Sequence, residues 1–427
     1  MDIYNWDMVC AVSCAELNKK LKTASREEFG QFRWTDDEGN KISGEFEGWE
    51  IVAGGDAQRI NIMTSVSTGR LETTVLGQKI DVSVDGLCPE LQVELAFVNA
   101  GAGDNTTHLK FNLARVNKKI SVTAGSGSVV VLNPDTTRLF PDSDSIIPLM
   151  YCNMMAEMLV AMQDKLEFIL AEVMVVPAES DASWMKFHLL QYAYAEKLSG
   201  ELGSLAVLGK FDDDELVPYS LEDLQLIFDS SLIREGGSIG FMLSQRMFMK
   251  HVVLPGLPYV FKGADISQFK LDRDDNVIKN NGSVSLNRLD GYIPWFNSLN
   301  VEVLDNRLVL NNASGRCDVV SYNSYVSFDL SGVYAPRLAV NEGGYSLCLE
   351  GVNRPVFRSE THDTVAQVFW IFGGWVVDAL VKGIKSQLDS LLFYFGNRMN
   401  FDVFPVSFNT DSCYSDCGLA ENFHMQG

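Results

Sequence analysis

Gly236-Gly237-Ser238-Ile239-Gly240 spells Gly-x-Ser-x-Gly, the pattern of a hydrolase nucleophile elbow. Such an elbow needs a buried strand running straight into the serine and a helix leaving it. Here Leu232-Ile233-Arg234-Glu235 is short and ends in charge, so Ser238 reads better as a plain helix N-cap. Gly125-Ser126-Gly127-Ser128 resembles part of a phosphate loop, but no Gly-Lys-Ser/Thr follows. Val129-Val130-Val131 comes next and reads as a strand, so a hairpin is the better assignment. Asp272-Arg273-Asp274-Asp275-Asn276 opens like a calcium loop, yet the glycine position holds Val277 and the twelfth position holds Ser283. A solvated turn fits that stretch. His108, His188, His251, His362 and His424 are scattered, without a second ligand at metal spacing on one element. Pairs of carboxylates are inevitable among 56 acidic residues and decide nothing. No catalytic residue and no metal ligand is assigned, and a non-enzyme is expected.

The remaining chemistry is apolar. Of 427 residues, 46% are hydrophobic and 21% charged, as in ordinary globular proteins. The formal net charge is −22, from 34 basic and 56 acidic side chains. A surface that acidic repels a phosphate backbone, which argues against nucleic-acid binding. Met1-Asp2-Ile3-Tyr4-Asn5-Trp6-Asp7 carries two acids and no lysine, unlike a secretory leader. Synthesis in the cytoplasm without a signal peptide is expected. The eight cysteines form no dense framework, and Cys413 and Cys417 are expected as free thiols. The most apolar stretch, 365–381, contains Gln367 and Asp378 and falls short of the ~20 clean residues of a membrane span.

Four helices are predicted, with strands between them. The first covers about 5–21, with Asn5 as N-cap and Trp6, Cys10, Cys14, Leu17 and Leu21 on one stripe. The second covers about 145–175, with Tyr151, Met155, Met158, Leu159, Met162, Leu166, Ile169, Leu170 and Val173 on its apolar side. The third covers 238–254 and stops at Pro255. The fourth covers 364–392 and is apolar over most of its circumference, through Phe369, Phe372, Val376, Leu380, Ile384 and Leu388. Between them apolar residues alternate, as at Leu91, Val93, Leu95 and Phe97, or Val326, Phe328 and Leu330. Asn281-Gly282 is a hairpin signal. Short strands joined by turns favour antiparallel meanders.

The two halves therefore share one plan of helix, strands and long apolar helix. The expected division is 1–176, a connecting set of strands over 177–236, and 237–427. Met150, Met154, Met155, Met158 and Met162 crowd one helix, and methionine suits a surface that accommodates variable apolar shapes. The candidate groove residues are Met155, Met158, Leu159, Met162, Leu166, Ile169, Phe369, Phe372, Val376, Leu380, Ile384 and Leu388. Plain core packing is the competing role for all of them. The last seven residues, Glu421 to Gly427, faintly resemble a protease-cleavage scar and receive no weight in the expected fold.

Three segments then carry a resemblance. Tyr4-Asn5-Trp6-Asp7-Met8-Val9 resembles the Tyr-x-Trp-Asp start of the OrfX and forty-seven-kilodalton accessory proteins of botulinum-type toxin gene clusters. Tyr192-Ala193-Tyr194-Ala195 with Leu205-Ala206-Val207-Leu208, and Ser238 through Pro255, are similar to segments of the same family. The resemblance implies a TULIP (tubular lipid-binding) fold, of α+β class. Two units would each wrap a strongly curved antiparallel sheet around a long apolar helix, and a central sheet would join them into an elongated body. It implies no individual ligand-contact residue.

Two functions follow as expectations. One is a non-enzymatic carrier of a lipid, fatty acid or other apolar segment, accessory to a co-encoded toxin and released with it, with no cofactor beyond such a ligand. The alternative is a protein-interaction scaffold or chaperone with closed grooves, acting through its acidic surface on a partner protein.

Overall fold

The computed structural model describes residues 1–101, 105–116, 127–133, 135, 146–174, 183–196, 202–211, 224–261, 263–272, 276–288, 291–321, 324–341, 344–352, 356–363, 382, 394–401 and 405–427. They belong to two units. One comprises Tyr4–Gly240, Phe404–Cys413 and Gly427; the other comprises Met1–Ile3, Phe241–Val403 and Tyr414–Gln426.

The chain runs β1 (Met8–Ser13), α1 (Cys14–Glu27), β2 (Gln31–Thr35), β3 (Lys41–Asp56), β4 (Arg59–Val75), β5 (Gln78–Ser83), β6 (Glu90–Asn99), β7 (Thr106–Asn112), β8 (Arg115–Val116) and β9 (Ser128–Asn133). Next come α2 (Ile147–Ala161), β10 (Ile169–Met174), β11 (Phe187–Ala195), β12 (Ser204–Phe211) and β13 (Ile239–Leu243). A helical run follows as α3 (Gln245–Met247), a π-helical stretch (Phe248–Val253) and α4 (Leu254–Val260). The remaining strands are β14 (Phe269–Leu271), β15 (Ile278–Asn280), β16 (Val284–Ser285), β17 (Trp295–Leu304), β18 (Arg307–Ser321), β19 (Ser324–Asn341), β20 (Gly344–Gly351), β21 (Val356–Asp363), β22 (Tyr394–Phe401), β23 (Val406–Phe408), β24 (Asp416–Ala420) and β25 (Asn422–Gln426).

In the unit holding Tyr4–Gly240 the large sheet has the order β2-β3-β4-β6-β7-β10-β23, with β5 on β4 and β9 on β6. These pairs are antiparallel, and the short pair β8–β9 is parallel. Separately, β11, β12 and β1 pair antiparallel in that order. The other unit carries an antiparallel sheet in the order β14-β15-β17-β18-β19-β20-β22, with β16 on β17 and β21 on β19. Antiparallel sheets with few helices thus make up the described fold, as the alternating segments predict.

Three helix predictions need correction. Residues 8–13 form a buried strand instead of the first turns of a helix, and Asn5 sits at φ +65°, outside helical space. Met8 through Val12 is a continuous apolar run with β12 to pair with, and periodicity alone does not separate such a run from a helix. The cap of α1 is Ser13, whose Oγ accepts the Glu16 N–H at 3.3 Å. Cys14, Leu17 and Leu21 are buried on α1.

The second helix is half the predicted length. Pro148 opens α2 in the first turn, where its missing N–H costs nothing. A 3₁₀ turn over Gln163–Lys165 ends it, and Leu166 leaves helical space at φ −89°, ψ 58°. Residues 169–174 then become β10, hydrogen-bonded to β7 on one side and β23 on the other. These distant partners override the local helical period.

In the third segment, residues 239–243 are a fully buried strand. Ser244, not Ser238, caps the helix, its Oγ accepting from Met247 N at 3.3 Å. The helix passes Pro255 and ends at Val260. Pro255 deprives the carbonyl four residues earlier of its usual donor, and the chain before it takes the wider π spacing.

Two smaller expectations also change. Gly282 turns the chain at φ +85°, but β15 and β16 both pair with β17, so Asn281-Gly282 sets two strands end to end. The last residues are part of the fold: Phe423 and Met425 of β25 are fully buried, each contributing about 1.5–3 kcal/mol of apolar transfer. Among the described residues no helix is long and apolar enough to cross a membrane.

Candidate functional site

α2 touches β2, β3, β8 and β9. Its 15 residues carry four methionines, and Met162 follows at its end. Tyr151, Met155, Met158 and Leu159 are completely buried, and Met154, Met162 and Leu166 nearly so. Five of the predicted groove residues thus lie in α2 or just beyond it. Ile169 does not share that helix; it is half-buried on β10, beside Lys110 of β7. Phe369, Phe372, Val376, Leu380, Ile384 and Leu388 lie outside the described residues.

The same unit holds an aromatic series that the pattern of the sequence did not disclose. Phe32 and Phe46 stand 4.6 Å apart, Phe46 and Trp49 5.3 Å, and Trp49 and Phe111 6.1 Å. Phe111 continues to Phe168 at 6.5 Å, and Phe29 meets Trp49 edge-on at 5.2 Å. The β3 register shifts between Phe46 and Gly48, so Phe46 and Trp49 fall out of the two-residue alternation that would have marked them. Gly44 leaves room for the Phe32 ring, since a Cβ there would stand 2.7 Å from its Cζ.

Among the buried polar atoms of this unit without a hydrogen-bond partner are Tyr151 Oη on α2 and Trp49 Nε1 on β3. Burial pushes the Tyr151 hydroxyl well above its ordinary pKa, and the nearby Cys152, Asp135 and Cys88 push the same way. It is therefore a neutral hydroxyl. Other polar groups near the start of α2 are satisfied. Thr73 Oγ1 donates to Asn40 Oδ1 at 2.6 Å and lies 3.9 Å from Met150 Sδ. Asn40 Nδ2 in turn donates to Asp36 Oδ2 at 2.6 Å.

The motifs that suggested chemistry are built for other purposes. Ser238 precedes a strand instead of following one; its N–H donates to the Gly427 carbonyl at 2.7 Å and its carbonyl accepts from Ser13 N at 2.8 Å. The Gly127 N–H, in the stretch that resembled a phosphate loop, donates to Glu94 Oε2 at 2.8 Å. A carboxylate already occupies the donor an anion would need. Asp272 is paired with Lys279 at 2.8 Å. Among the described residues no three His, Cys, Asp or Glu side chains are placed to hold a metal ion.

The residues behind the family resemblance are anchors. Trp6 Nε1 donates to the Gln225 carbonyl at 2.8 Å, and Asp7 pairs with Lys210. Tyr192 Oη donates to the Gln58 carbonyl at 2.7 Å and accepts the Leu95 N–H at 2.8 Å.

Comparison with known proteins places these features in context. The family model described as OrfX-like, Protein OrfX2/OrfX3/P47, matches residues 3–392. Protein P47 of Clostridium botulinum (strain Kyoto / Type A2) is 22% identical over 258 residues, 60% of this chain and 56% of that one. Protein OrfX3 of Paraclostridium bifermentans is 21% identical over 394 residues, 82% of this chain and 76% of that one. The structure of P47 from Clostridium botulinum A2 aligns at TM-score 0.75 with 19% identity, covering 100% of this chain and 98% of its own. The crystal structure of P47 of Clostridium botulinum E1 aligns at TM-score 0.77 with 19% identity, covering 100% and 99%.

Proposed function

The chain belongs to the OrfX-like family, and we propose that it is a non-enzymatic member that holds an acyl chain or apolar partner segment against the inner face of α2, as an accessory to a co-encoded toxin. The observation that carries this reading is the buried methionine face of α2, Met154, Met155, Met158 and Met162. Methionine repacks around ligands of different shape at small cost. The binding force would be apolar transfer, at about 0.8 kcal/mol per buried CH₂. The resemblance to TULIP proteins, in which a curved sheet wraps a long helix, supports the same reading. A net charge of −22 disfavours electrostatic docking to anionic bilayers, so a lipid role rests on the interior.

A second reading is favoured by a specific observation. Met155, Met158 and Leu159 are completely buried by the chain's own atoms, which pack the space between α2 and its neighbours. A closed interior suits a scaffold that acts through its acidic surface on a basic partner protein.

Native mass spectrometry of gently purified protein separates the two. The carrier reading expects co-purifying lipid and binding to detergent or liposomes. If neither occurs, and products of neighbouring genes co-purify in a salt-sensitive way, the scaffold reading takes its place.

A further inference from the structure

The two unpaired donors name the kind of ligand head this interior would accept. Tyr151 Oη and Trp49 Nε1 are buried without a partner, and α2 and β3, which carry them, touch. Such groups are uncommon because each forfeits its hydration without return. Indole N–H only donates, and a neutral phenol donates readily, so the missing partner is a hydrogen-bond acceptor. The neighbours also discriminate. Asp135 accepts the Cys88 N–H at 3.0 Å, and both these residues lie near enough to Tyr151 to act on it electrostatically, as does Cys152. Of the three Asp135 is the carboxylate, while burial keeps the Cys152 thiol neutral. A carboxylate or phosphate placed there would meet repulsion as well as desolvation.

We propose that the interior between α2 and β3 takes a neutral acyl ester, whose carbonyl oxygen accepts a hydrogen bond from Tyr151 Oη, in preference to a free fatty acid or anionic lipid. The inference rests on the carrier reading above and adds the chemistry of the head.

The test uses the full chain with two probes that differ only in the head, a fatty acid and its methyl ester, both presented from neutral detergent micelles. The expected result is a methyl-ester preference of about five- to tenfold, the worth of one neutral hydrogen bond. Tyr151→Phe should weaken ester binding by that factor and so abolish the preference. Without ligand the same variant should melt no lower than the parent, because it removes an unpaired buried hydroxyl. Equal binding of both probes, unchanged by Tyr151→Phe, overturns the ester assignment and leaves the carrier reading standing. Binding of neither probe overturns both. An ordered water bonded to Tyr151 Oη in the probe-loaded protein also overturns the assignment. Should the variant fail to fold, the infrared carbonyl stretch of the ester bound to the unmodified chain gives the answer. A shift to lower frequency supports the hydrogen bond, and an unshifted band rejects it.

Discussion

Lys210 Nζ lies 2.8 Å from Asp7 Oδ1, and the other oxygen of Asp7 accepts the Phe211 N–H at 3.1 Å. Both side chains are nearly buried, at 14% and 12% exposure. Asp7 stands one residue before β1, and Lys210 is in β12, its antiparallel partner. The pair therefore closes the end of that ladder. Removing the Asp7 carboxylate deprives both the Lys210 ammonium and the Phe211 N–H of a nearly dry acceptor, which costs about 3 kcal/mol. Asp7→Ala should lower the urea midpoint accordingly, and adding Lys210→Met should restore part of the loss. The half-exposed pair Lys41–Glu72 serves as the control, and Glu72→Ala should leave the midpoint nearly unchanged. Equal effects at the two sites would refute the anchoring role of Asp7.

That pair also marks what the sequence could and could not disclose. Strands such as β6 and β19 were legible because one face is covered, so Leu91, Val93 and Leu95, or Val326, Phe328 and Leu330, recur every second residue. β1 was not, because Met8 through Val12 is buried on both faces and shows no period. β10 was read as helix because Ile169, Leu170 and Val173 also satisfy a helical spacing, and β7 and β23, which claim it, lie about 60 residues earlier and 235 later in the chain. Of the candidate site, the methionine face of α2 was legible from spacing. The unpaired Tyr151 and Trp49 were not, since a missing hydrogen bond is a property of the packed interior.

Tyr192 supplies the second prediction. Its hydroxyl joins the Gln58 carbonyl to the Leu95 N–H, tying β11 to the β3–β4 turn and to β6. Tyr192→Phe keeps the ring but leaves a buried N–H and a carbonyl without their partner. The expected loss is about 1–3 kcal/mol, measurable by urea denaturation at unchanged m. Amide exchange at Leu95 should accelerate most. A variant as stable as the parent, with Leu95 still protected, would show that water replaces the hydroxyl.

Thiol reactivity provides a third. Burial pushes Cys14 and Cys417 up to about 12, and Cys152 and Cys317 to about 11. At about pH 8 a thiol of pKa 12 is ionised in roughly one molecule of ten thousand. Cys413 is exposed. A colorimetric thiol titration of the folded protein should modify Cys413 first, with Cys14, Cys152, Cys317 and Cys417 reacting only as the chain unfolds. Peptide mapping of the first modified site decides the matter, and early labelling of Cys14 would contradict the buried helix stripe on which it lies.

His424 gives a pH dependence with a definite sign. The residue is half-buried on β25, opposite Gly418 of β24. Burial chiefly, and the N-terminal ammonium as well, hold its pKa below the ordinary 6.5, while the backbone at Asn422 and the Asp416 carboxylate act the other way. The folded state thus favours the neutral ring, and the unfolded chain binds the extra proton first. The stabilisation is fully present above about pH 6.5 and disappears as pH falls through the depressed folded value. His424→Gln removes this term. Between about pH 7 and pH 5 the parent should lose more stability than the variant, by the slope of a fraction of one proton. Parallel stability profiles would assign the acid sensitivity to the carboxylates instead. The substitution Gly418→Ala probes the same site from the other strand, because its Cβ would stand 2.7 Å from His424 Cε1 and Nε2. It should force the ring outward into water, raise the histidine pKa toward 6.5 and flatten the acid limb as His424→Gln does.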